Sequence, residues 1–154
     1  MSKIVLKYYN FDIVFQEIPD EVTLAINITN CPHRCIGCHS PHLRQNIGDL
    51  LDEKVLDELV QKYKNEITCV CFMGGDKLPL EIDKLANHLH NNSKVKVAWY
   101  SGNSQMPSNY SKFDYIKIGP YLPSKGGLKS RLTNQRLYKI SEGKSIDITS
   151  RFHR

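Results

Sequence analysis

Residues 23–38 read TLAINITNCPHRCIGC and join a short apolar segment directly to three cysteines. The segment 23–28 is partly β-branched and bounded by polar residues, which is typical of a buried β-strand. The cysteines are Cys31, Cys35 and Cys38. The sequence therefore predicts a core strand that ends in a cysteine-rich loop.

Strand and helix patterns alternate on either side of this stretch. Strand patterns lie at 4–8 and 12–15 before it, and at 67–73, 95–100 and 115–118 after it. Helical patterns occupy about 50–63, with Asp49 as the expected cap, and 80–90. This alternation predicts an α/β fold with a mainly parallel sheet and right-handed crossovers, and the length suits one domain over 1–154.

Small and polar residues follow the ends of the predicted strands. Gly74-Gly75-Asp76 follows the second core strand, Ser101-Gly102 the third and the segment 119–121 the fourth, where Lys117, Gly119 and Tyr121 border the same edge. The carboxyl ends of parallel strands share one edge, where ligand sites form, so these residues are expected to converge on the cysteine loop. A glycine turn with Asp76 capping the next helix is the alternative.

Composition restricts the class of protein. Apolar residues make up 40% of the 154, which is enough for a core, and no run of 18 apolar residues is present to span a membrane. The first residues lack the apolar region of a secretory signal, so a cytoplasmic location is expected. The net charge of +5 is uneven, because residues 101–154 carry 10 basic and 3 acidic residues, or +7. This excess fits an acidic partner, although a solvated surface explains the same count.

The three loop cysteines predict a metal or redox centre. The chain has five cysteines, an odd number that excludes complete internal disulfide pairing. Thiolates are soft ligands that select zinc, copper(I) or iron–sulfur clusters. A zinc site would need a histidine as a fourth ligand, from His33, His39 or His42. A four-iron cluster held by three cysteines would instead leave one iron open for chemistry.

Two motifs together resemble the radical S-adenosylmethionine superfamily. They are the spacing Cys31-x3-Cys35-x2-Cys38 after the first core strand and Met73-Gly74-Gly75-Asp76 after the next. Within the superfamily the chain is most similar to the activating enzymes of anaerobic ribonucleoside-triphosphate reductase. Gly37 and the segments 117–121 and 133–136 add to the likeness, which runs from about 23 to about 140.

The resemblance implies an incomplete, open radical-SAM-type (β/α) barrel that forms a single radical SAM domain. It implies a 4Fe-4S cluster on Cys31, Cys35 and Cys38, with no catalytic residue beyond these ligands. S-adenosylmethionine would lie against these loop and strand-end residues: Gly37, Cys38, His39, Gly74, Gly75, Asp76, Ser101 and Gly102.

The activity implied by the resemblance is that of an oxidoreductase. Reductive cleavage of S-adenosylmethionine would give a 5′-deoxyadenosyl radical, which would generate a glycyl radical on the large subunit of anaerobic ribonucleoside-triphosphate reductase. The electron would come from a low-potential donor such as flavodoxin. Neither a membrane nor a nucleic-acid partner is expected.

Two alternatives remain open on the sequence. Within the superfamily, the chain would activate another glycyl-radical enzyme or act on a small molecule. From a different class, it would be a zinc-bound, basic module that binds nucleic acid.

The other two cysteines, Cys69 and Cys71, stand two apart on a strand and so share one face. They are predicted to be core residues rather than ligands.

Overall fold

The computed structural model describes residues 5–29 and 48–153. These ranges contain two α-helices, α1 (Glu53–Tyr63) and α2 (Pro79–Asn92), and short 3-10 helices at Tyr110–Lys112 and Thr149–His153. They also contain eight strands: β1 (Lys7–Val14), β2 (Thr23–Ile28), β3 (Asp49–Leu50), β4 (Cys69–Met73), β5 (Lys96–Tyr100), β6 (Tyr115–Ile118), β7 (Arg136–Ser141) and β8 (Lys144–Asp147).

All eight strands form one sheet in the order β3-β1-β2-β4-β5-β6-β7-β8. The central strands β2, β4, β5 and β6 pair in parallel. On one side β1 pairs antiparallel with β2 and β3 with β1, and on the other β7 pairs antiparallel with β6 and β8 with β7. The sheet is therefore mixed, not mainly parallel as expected. One cause is the tight turn between β7 and β8, where positive φ angles at Glu142 and Gly143 permit a two-residue hairpin.

The amino-terminal half differs from expectation in two places. Of the two predicted segments, residues 7–8 and 12–14 lie in the single strand β1 rather than in two strands, and β1 has a register irregularity between Tyr8 and Asn10. The first helix begins at Glu53 rather than near Leu50, because Asp49 and Leu50 pair with β1 as β3. Asp52 is the helix cap, and its Oδ1 accepts a hydrogen bond from the Val55 amide at 2.9 Å.

Two apolar layers lie on the two faces of the sheet. Both helices pack on one face, and the larger core there includes Ile26 of β2, Phe72 of β4 and Trp99 of β5. The other face carries a smaller core in which Cys69 and Cys71 of β4 pack with residues from 18, 98, 115, 128 and 137. Alternation along each strand separates the two layers.

Neither of the two helices in the described ranges is long and apolar enough to cross a lipid bilayer. The barrel-like curvature and the single-domain extent implied by the resemblance stay predictions.

Candidate functional site

The four parallel strands place the predicted site residues at one edge of the sheet. Their carboxyl ends lie side by side, because Asn27 of β2 pairs with Met73 of β4, Met73 with Tyr100 of β5, and Tyr100 with Lys117 of β6. The residues that follow these strands therefore lie side by side at this edge. They are Gly74 to Asp76, Ser101 to Gly102, and Gly119. β2 ends at this edge at Ile28, three positions before the first loop cysteine in the sequence.

Asp76 joins the loops that follow β4 and β5. Its Oδ1 accepts a hydrogen bond from the Ser101 hydroxyl at 2.6 Å, and its Oδ2 accepts one from the Gly102 amide at 2.8 Å. The Asn103 side chain lies 3.5 Å from Oδ1. Asp76 does not cap α2, whose N-cap residue is Leu78 and which has no side-chain capping bond. Charge-assisted bonds of this kind hold the two loops in one arrangement.

The Gly74-Gly75 turn depends on glycine for its backbone geometry. Both residues have positive φ, at 108° and 90°, which other L-residues rarely adopt. A Cβ on Gly75 would also lie 2.6 Å from Cδ1 of Ile82, a fully buried residue of α2. On Gly74 it would meet the Ile28 carbonyl oxygen at 3.4 Å, so this glycine lies directly against the end of β2.

The backbone groups of the turn have partners within the protein. The Gly74 amide donates to the Tyr100 carbonyl at 3.0 Å, and the Gly75 carbonyl accepts from the Leu78 amide at 3.0 Å. The indole Nε1 of Trp99 donates to the Gly74 carbonyl at 2.7 Å. A carbonyl oxygen has two lone pairs, so each of these acceptors keeps capacity for a ligand group. Trp99 is thus both a core residue, as predicted, and a support for the turn.

A buried lysine lies near the same edge of the sheet. Lys117 of β6 is 8% exposed, and its Nζ donates to the Gly119 carbonyl at 3.2 Å and lies 5.4 Å from the centroid of the Tyr100 ring. A lysine in an otherwise apolar strand is the sequence signal for this position. Burial raises the pKa of the Tyr100 hydroxyl, which remains protonated and donates to the Glu17 carbonyl.

The sequence analysis did not predict a pair of asparagines near the carboxyl end of β2. The Asn27 side chain in β2 donates to the Asn10 side-chain oxygen in β1 at 2.6 Å. The signal was an asparagine within a strand whose neighbours are apolar or β-branched. The pair adds amide donors and acceptors close to the end of the strand that leads to the cysteines.

Cys69 and Cys71 are core residues, which confirms the interpretation from their spacing. Both are fully buried on the face opposite the helices. Burial raises the pKa of both thiols, which therefore stay protonated. The Cys71 sulfur lies 3.5 Å from the Met73 sulfur. A protonated, buried thiol is a poor metal ligand, because the thiolate is the form that binds metal.

A second polar cluster lies at the opposite edge of the sheet, at the amino ends of the parallel strands. Glu21 is 6% exposed and accepts hydrogen bonds from Thr68 at 2.7 Å, Tyr115 at 2.8 Å and Lys96 at 2.9 Å. Burial opposes ionisation of Glu21, but the Lys96, Thr68 and Tyr115 bonds outweigh it and hold its pKa below the usual range. Burial, followed by the bond to Glu21, raises the pKa of Tyr115.

A cavity of about 810 Å³ adjoins this cluster, between the carboxyl ends of α1 and α2, and is lined in part by Glu21, Thr68 and Lys96. These side chains already satisfy one another, and no predicted site residue in the described ranges lines the cavity. The carboxyl edge therefore remains the candidate site.

Comparison with known proteins gives one match. Residues 22–109, more than half of the chain, match the family described as the 4Fe-4S single cluster domain. The chain belongs to this family. No curated protein and no solved structure matches it.

The residues that match the 4Fe-4S single cluster domain include the elements that build the candidate site. It runs from the residue before β2, through the cysteine loop and β4, to beyond β5, and so includes both loops that Asp76 joins. A 4Fe-4S family makes the three loop thiolates the fitting donor set, since iron–sulfur clusters are held by cysteine thiolates. The family is described by an iron–sulfur cluster and not by zinc, although zinc also accepts thiolates.

Some predicted site residues lie outside the described ranges. These are Cys31, Cys35, Gly37, Cys38 and His39. Their roles stay predictions from the sequence. Gly74, Gly75, Asp76, Ser101 and Gly102 are described, and the structure brings them together as expected at the edge where β2 ends.

Proposed function

We propose that this 4Fe-4S protein is a radical S-adenosylmethionine enzyme that activates anaerobic ribonucleoside-triphosphate reductase. The observation that carries the proposal is the carboxyl edge of the parallel strands. There β2, which leads into the three-cysteine loop, lies directly against Gly74, and Asp76 ties the Gly-Gly turn to the loop after β5.

In this proposal Cys31, Cys35 and Cys38 hold the cluster, and Gly37 and His39 flank the third ligand. The bound cluster supplies one electron for cleavage of the sulfonium of S-adenosylmethionine. In this proposal the turn and Asp76 bind and orient S-adenosylmethionine.

The Gly-Gly turn permits close approach of a ligand to its backbone, because neither residue has a Cβ. Asp76 places a carboxylate at the same edge, which complements the ammonium and sulfonium groups of S-adenosylmethionine. Ser101 is 1% exposed and bonded to Asp76, so it fixes the loop that begins the neighbouring wall. Together these groups offer a ligand both backbone atoms and a carboxylate at one edge of the sheet.

The proposed substrate is a backbone glycine of the reductase large subunit, with a low-potential donor such as flavodoxin as the source of the electron. One-electron cleavage of S-adenosylmethionine would supply methionine and a 5′-deoxyadenosyl radical, and transfer of one hydrogen atom from this glycine would leave 5′-deoxyadenosine and a glycyl radical. A protein substrate requires a site open to a partner's loop, and the candidate site lies at the end of the sheet.

Anaerobic reconstitution with iron and sulfide tests the proposal. We expect a brown protein with the broad visible absorption of an iron–sulfur cluster, which forms 5′-deoxyadenosine when dithionite and S-adenosylmethionine are added. Addition of the reductase large subunit from the same organism should then give a glycyl radical signal by electron paramagnetic resonance.

Three other outcomes would contradict parts of the proposal. Colourless protein with stoichiometric zinc and no 5′-deoxyadenosine would identify a zinc module. A cluster without 5′-deoxyadenosine would remove S-adenosylmethionine from the function. Formation of 5′-deoxyadenosine without a glycyl radical on the reductase would point to another glycyl-radical enzyme or a small-molecule substrate.

A further inference from the structure

The segment after β6 has an unusual charge. Residues 115–141 form a stretch of 27 that contains six lysines and arginines and no aspartate or glutamate. Lys117 is buried beneath the candidate site, whereas the other five are exposed: Lys125, Lys129, Arg131, Arg136 and Lys139. We use the name basic platform for residues 119–135, which connect β6 to β7.

A buried leucine and two side-chain hydrogen bonds fix the position of the basic platform. Leu128 is buried in the smaller core beside Cys69 and Cys71. The side chains of Asn134 and Gln135 donate to the carbonyls of Pro120 and Gly119, at 3.1 and 3.3 Å, and so tie the end of the segment to its start. A segment fixed at several points presents its outer surface in one arrangement, which lowers the entropic penalty of binding a partner.

Two leucines of the basic platform point outward. Leu132 is 73% exposed and Leu122 is 37% exposed, in contrast to the buried Leu128 between them. Lys125 and Arg131 are close to them in the sequence and are also exposed. Apolar side chains among cations are typical of a surface that combines apolar contact with charge recognition.

The basic platform is connected to the candidate site. The Gly119 amide donates to the Asn103 carbonyl at 2.6 Å, and the Asn103 amide donates to the Ser101 hydroxyl at 3.0 Å. Ser101 in turn bonds to Asp76. The amino-terminal end of the basic platform therefore adjoins the edge at which the site is built, so a protein bound there would contact the platform where it begins.

We propose that the basic platform is the docking surface for the protein substrate, and that its partner presents an acidic surface with apolar side chains. The charge of the platform requires acidic groups opposite, and the exposed leucines favour a protein over a nucleic acid, because leucine neither stacks on bases nor bonds to them. The inference rests on the proposed function, whose reductase it uses as the partner.

The test compares reductase binding by the reconstituted wild-type protein and two variants. The first is the triple variant Lys125→Glu, Lys129→Glu, Arg131→Glu, and the second is Leu132→Ser. We expect the triple variant to raise the Kd for the reductase large subunit by about tenfold or more, and Leu132→Ser to raise it severalfold. Wild-type affinity should also fall from low to high ionic strength, and this dependence should be weaker in the triple variant.

Matched controls separate docking from general effects. Lys54→Glu, Lys62→Glu, Lys64→Glu makes the same change of charge at exposed positions of α1 and of its C-cap residue Lys64, across the sheet from the smaller core. Leu80→Ser removes a leucine of similar exposure, 79%, from α2. Both controls should bind the reductase as the wild type does. All variants should form 5′-deoxyadenosine in the absence of the reductase at the wild-type rate.

Three results would overturn the inference: unchanged reductase affinity in the triple variant, equal weakening in the control variants, or no binding of the reductase by the wild type. Binding of single-stranded DNA that is tighter than reductase binding and lost in the triple variant would assign the platform to nucleic acid instead. Failure of the proposed function has a separate signature, because it is read from 5′-deoxyadenosine formation and from the glycyl radical signal of the reductase, and neither readout reports which surface binds the partner.

Discussion

At the scale of single residues, Asp76 has a structural role that its motif did not reveal. Each of its carboxylate oxygens accepts a hydrogen bond from the loop after β5, one from Ser101 and one from Gly102. A carboxylate accepts both bonds with its negative charge, whereas an amide in its place has one acceptor oxygen and keeps both contacts only if the Ser101 hydroxyl changes from donor to acceptor. The residue therefore couples the positions of two strand ends.

Asp76→Asn is expected to weaken S-adenosylmethionine binding by about tenfold or more, because the local negative charge is removed and the two charge-assisted bonds become neutral ones. Iron content should not change. Anaerobic calorimetric titration of the reconstituted variant measures the affinity. Asp83→Asn is the control, since Asp83 similarly holds Asn109 and Lys112 but lies away from the site residues. Equal affinity in Asp76→Asn and the wild type would remove Asp76 from the site.

The five cysteines are expected to divide into two groups. Alanine at Cys31, Cys35 or Cys38 should abolish both cluster retention and 5′-deoxyadenosine formation, because each supplies a ligand in the proposed cluster. Alanine at Cys69 or Cys71 should lower the free energy of unfolding by about 1 kcal/mol and leave the cluster intact, since both thiols are buried and protonated. Iron analysis and product assays on the five variants check this. Cluster loss confined to the Cys69 and Cys71 variants would contradict the assignment.

Substitutions of the two glycines in the turn do not distinguish an effect on ligand binding from an effect on folding. A β-branched residue at Gly75 would clash with buried Ile82, and positive φ strains any side chain at either position. Weakened ligand binding in such variants therefore reports on folding as well as on the site. Asp76 gives a sharper test than either glycine.

At the scale of elements, Trp99 links strand β5 to the turn that follows β4. Its ring packs against Phe113 with centroids 5.4 Å apart, while its indole nitrogen bonds to the Gly74 carbonyl. Trp99→Phe keeps an aromatic ring there but removes the donor together with part of the buried ring volume. We expect a loss of about 1–2 kcal/mol in the free energy of unfolding, together with weaker S-adenosylmethionine binding.

Urea unfolding and calorimetric titration measure the two effects of Trp99→Phe. Tyr110→Phe serves as the control, because it deletes the hydrogen bond from the Tyr110 hydroxyl to the Gly143 carbonyl at an exposed position. A variant that loses stability while binding the ligand with wild-type affinity would show that the turn does not depend on Trp99 for its position.

Elements with strong local patterns were predictable, and those fixed by tertiary pairing were not. The apolar segments of β2, β4, β5 and β6 and the periodic faces of α1 and α2 follow directly from the sequence. The two-residue strand β3 was not predictable, because pairing with Lys7 and Tyr8, and not its own propensity, makes it a strand. The hairpin of β7 and β8 was missed because β8 is exposed throughout and has no alternating pattern.

The same distinction applies to the site. Shared strand ends predicted that Asp76 and Ser101 would meet, because parallel topology alone brings them to one edge. The contributions of Trp99 and Asn10 depend on side chains that reach across strands, for which the sequence has no signal. Glu21 was missed for a similar reason, since its partners Thr68, Lys96 and Tyr115 are far away in the chain.

At the scale of the whole molecule, Glu21 fastens the amino ends of β4, β5 and β6 to the segment before β2 and makes stability depend on pH. Its pKa is lower in the folded protein than in the unfolded chain, so folding favours the ionised carboxylate. The resulting stabilisation is present above about pH 4.3, the ordinary value for glutamate, and is lost as the pH falls through the folded-state pKa.

Glu21→Gln should therefore lower the free energy of unfolding at neutral pH, and the difference from the wild type should shrink in acid below about pH 4.3. Urea unfolding followed by circular dichroism at several pH values measures it. Glu58→Gln, on the exposed side of α1, corrects for the loss of one negative charge. A difference that stays constant down to the acid range would show that Glu21 ionisation does not stabilise the fold.

The position of Trp99 has a practical consequence, because it is the single tryptophan of the chain. Its side chain is 1% exposed, and its indole nitrogen bonds to the turn that borders the candidate site. Its fluorescence therefore comes from one defined place, and a ligand that displaces the Gly74 carbonyl changes the emission directly. The protein carries its own optical reporter of events at this edge of the sheet, so that ligand arrival can be followed in the unlabelled molecule on the millisecond scale of stopped-flow mixing.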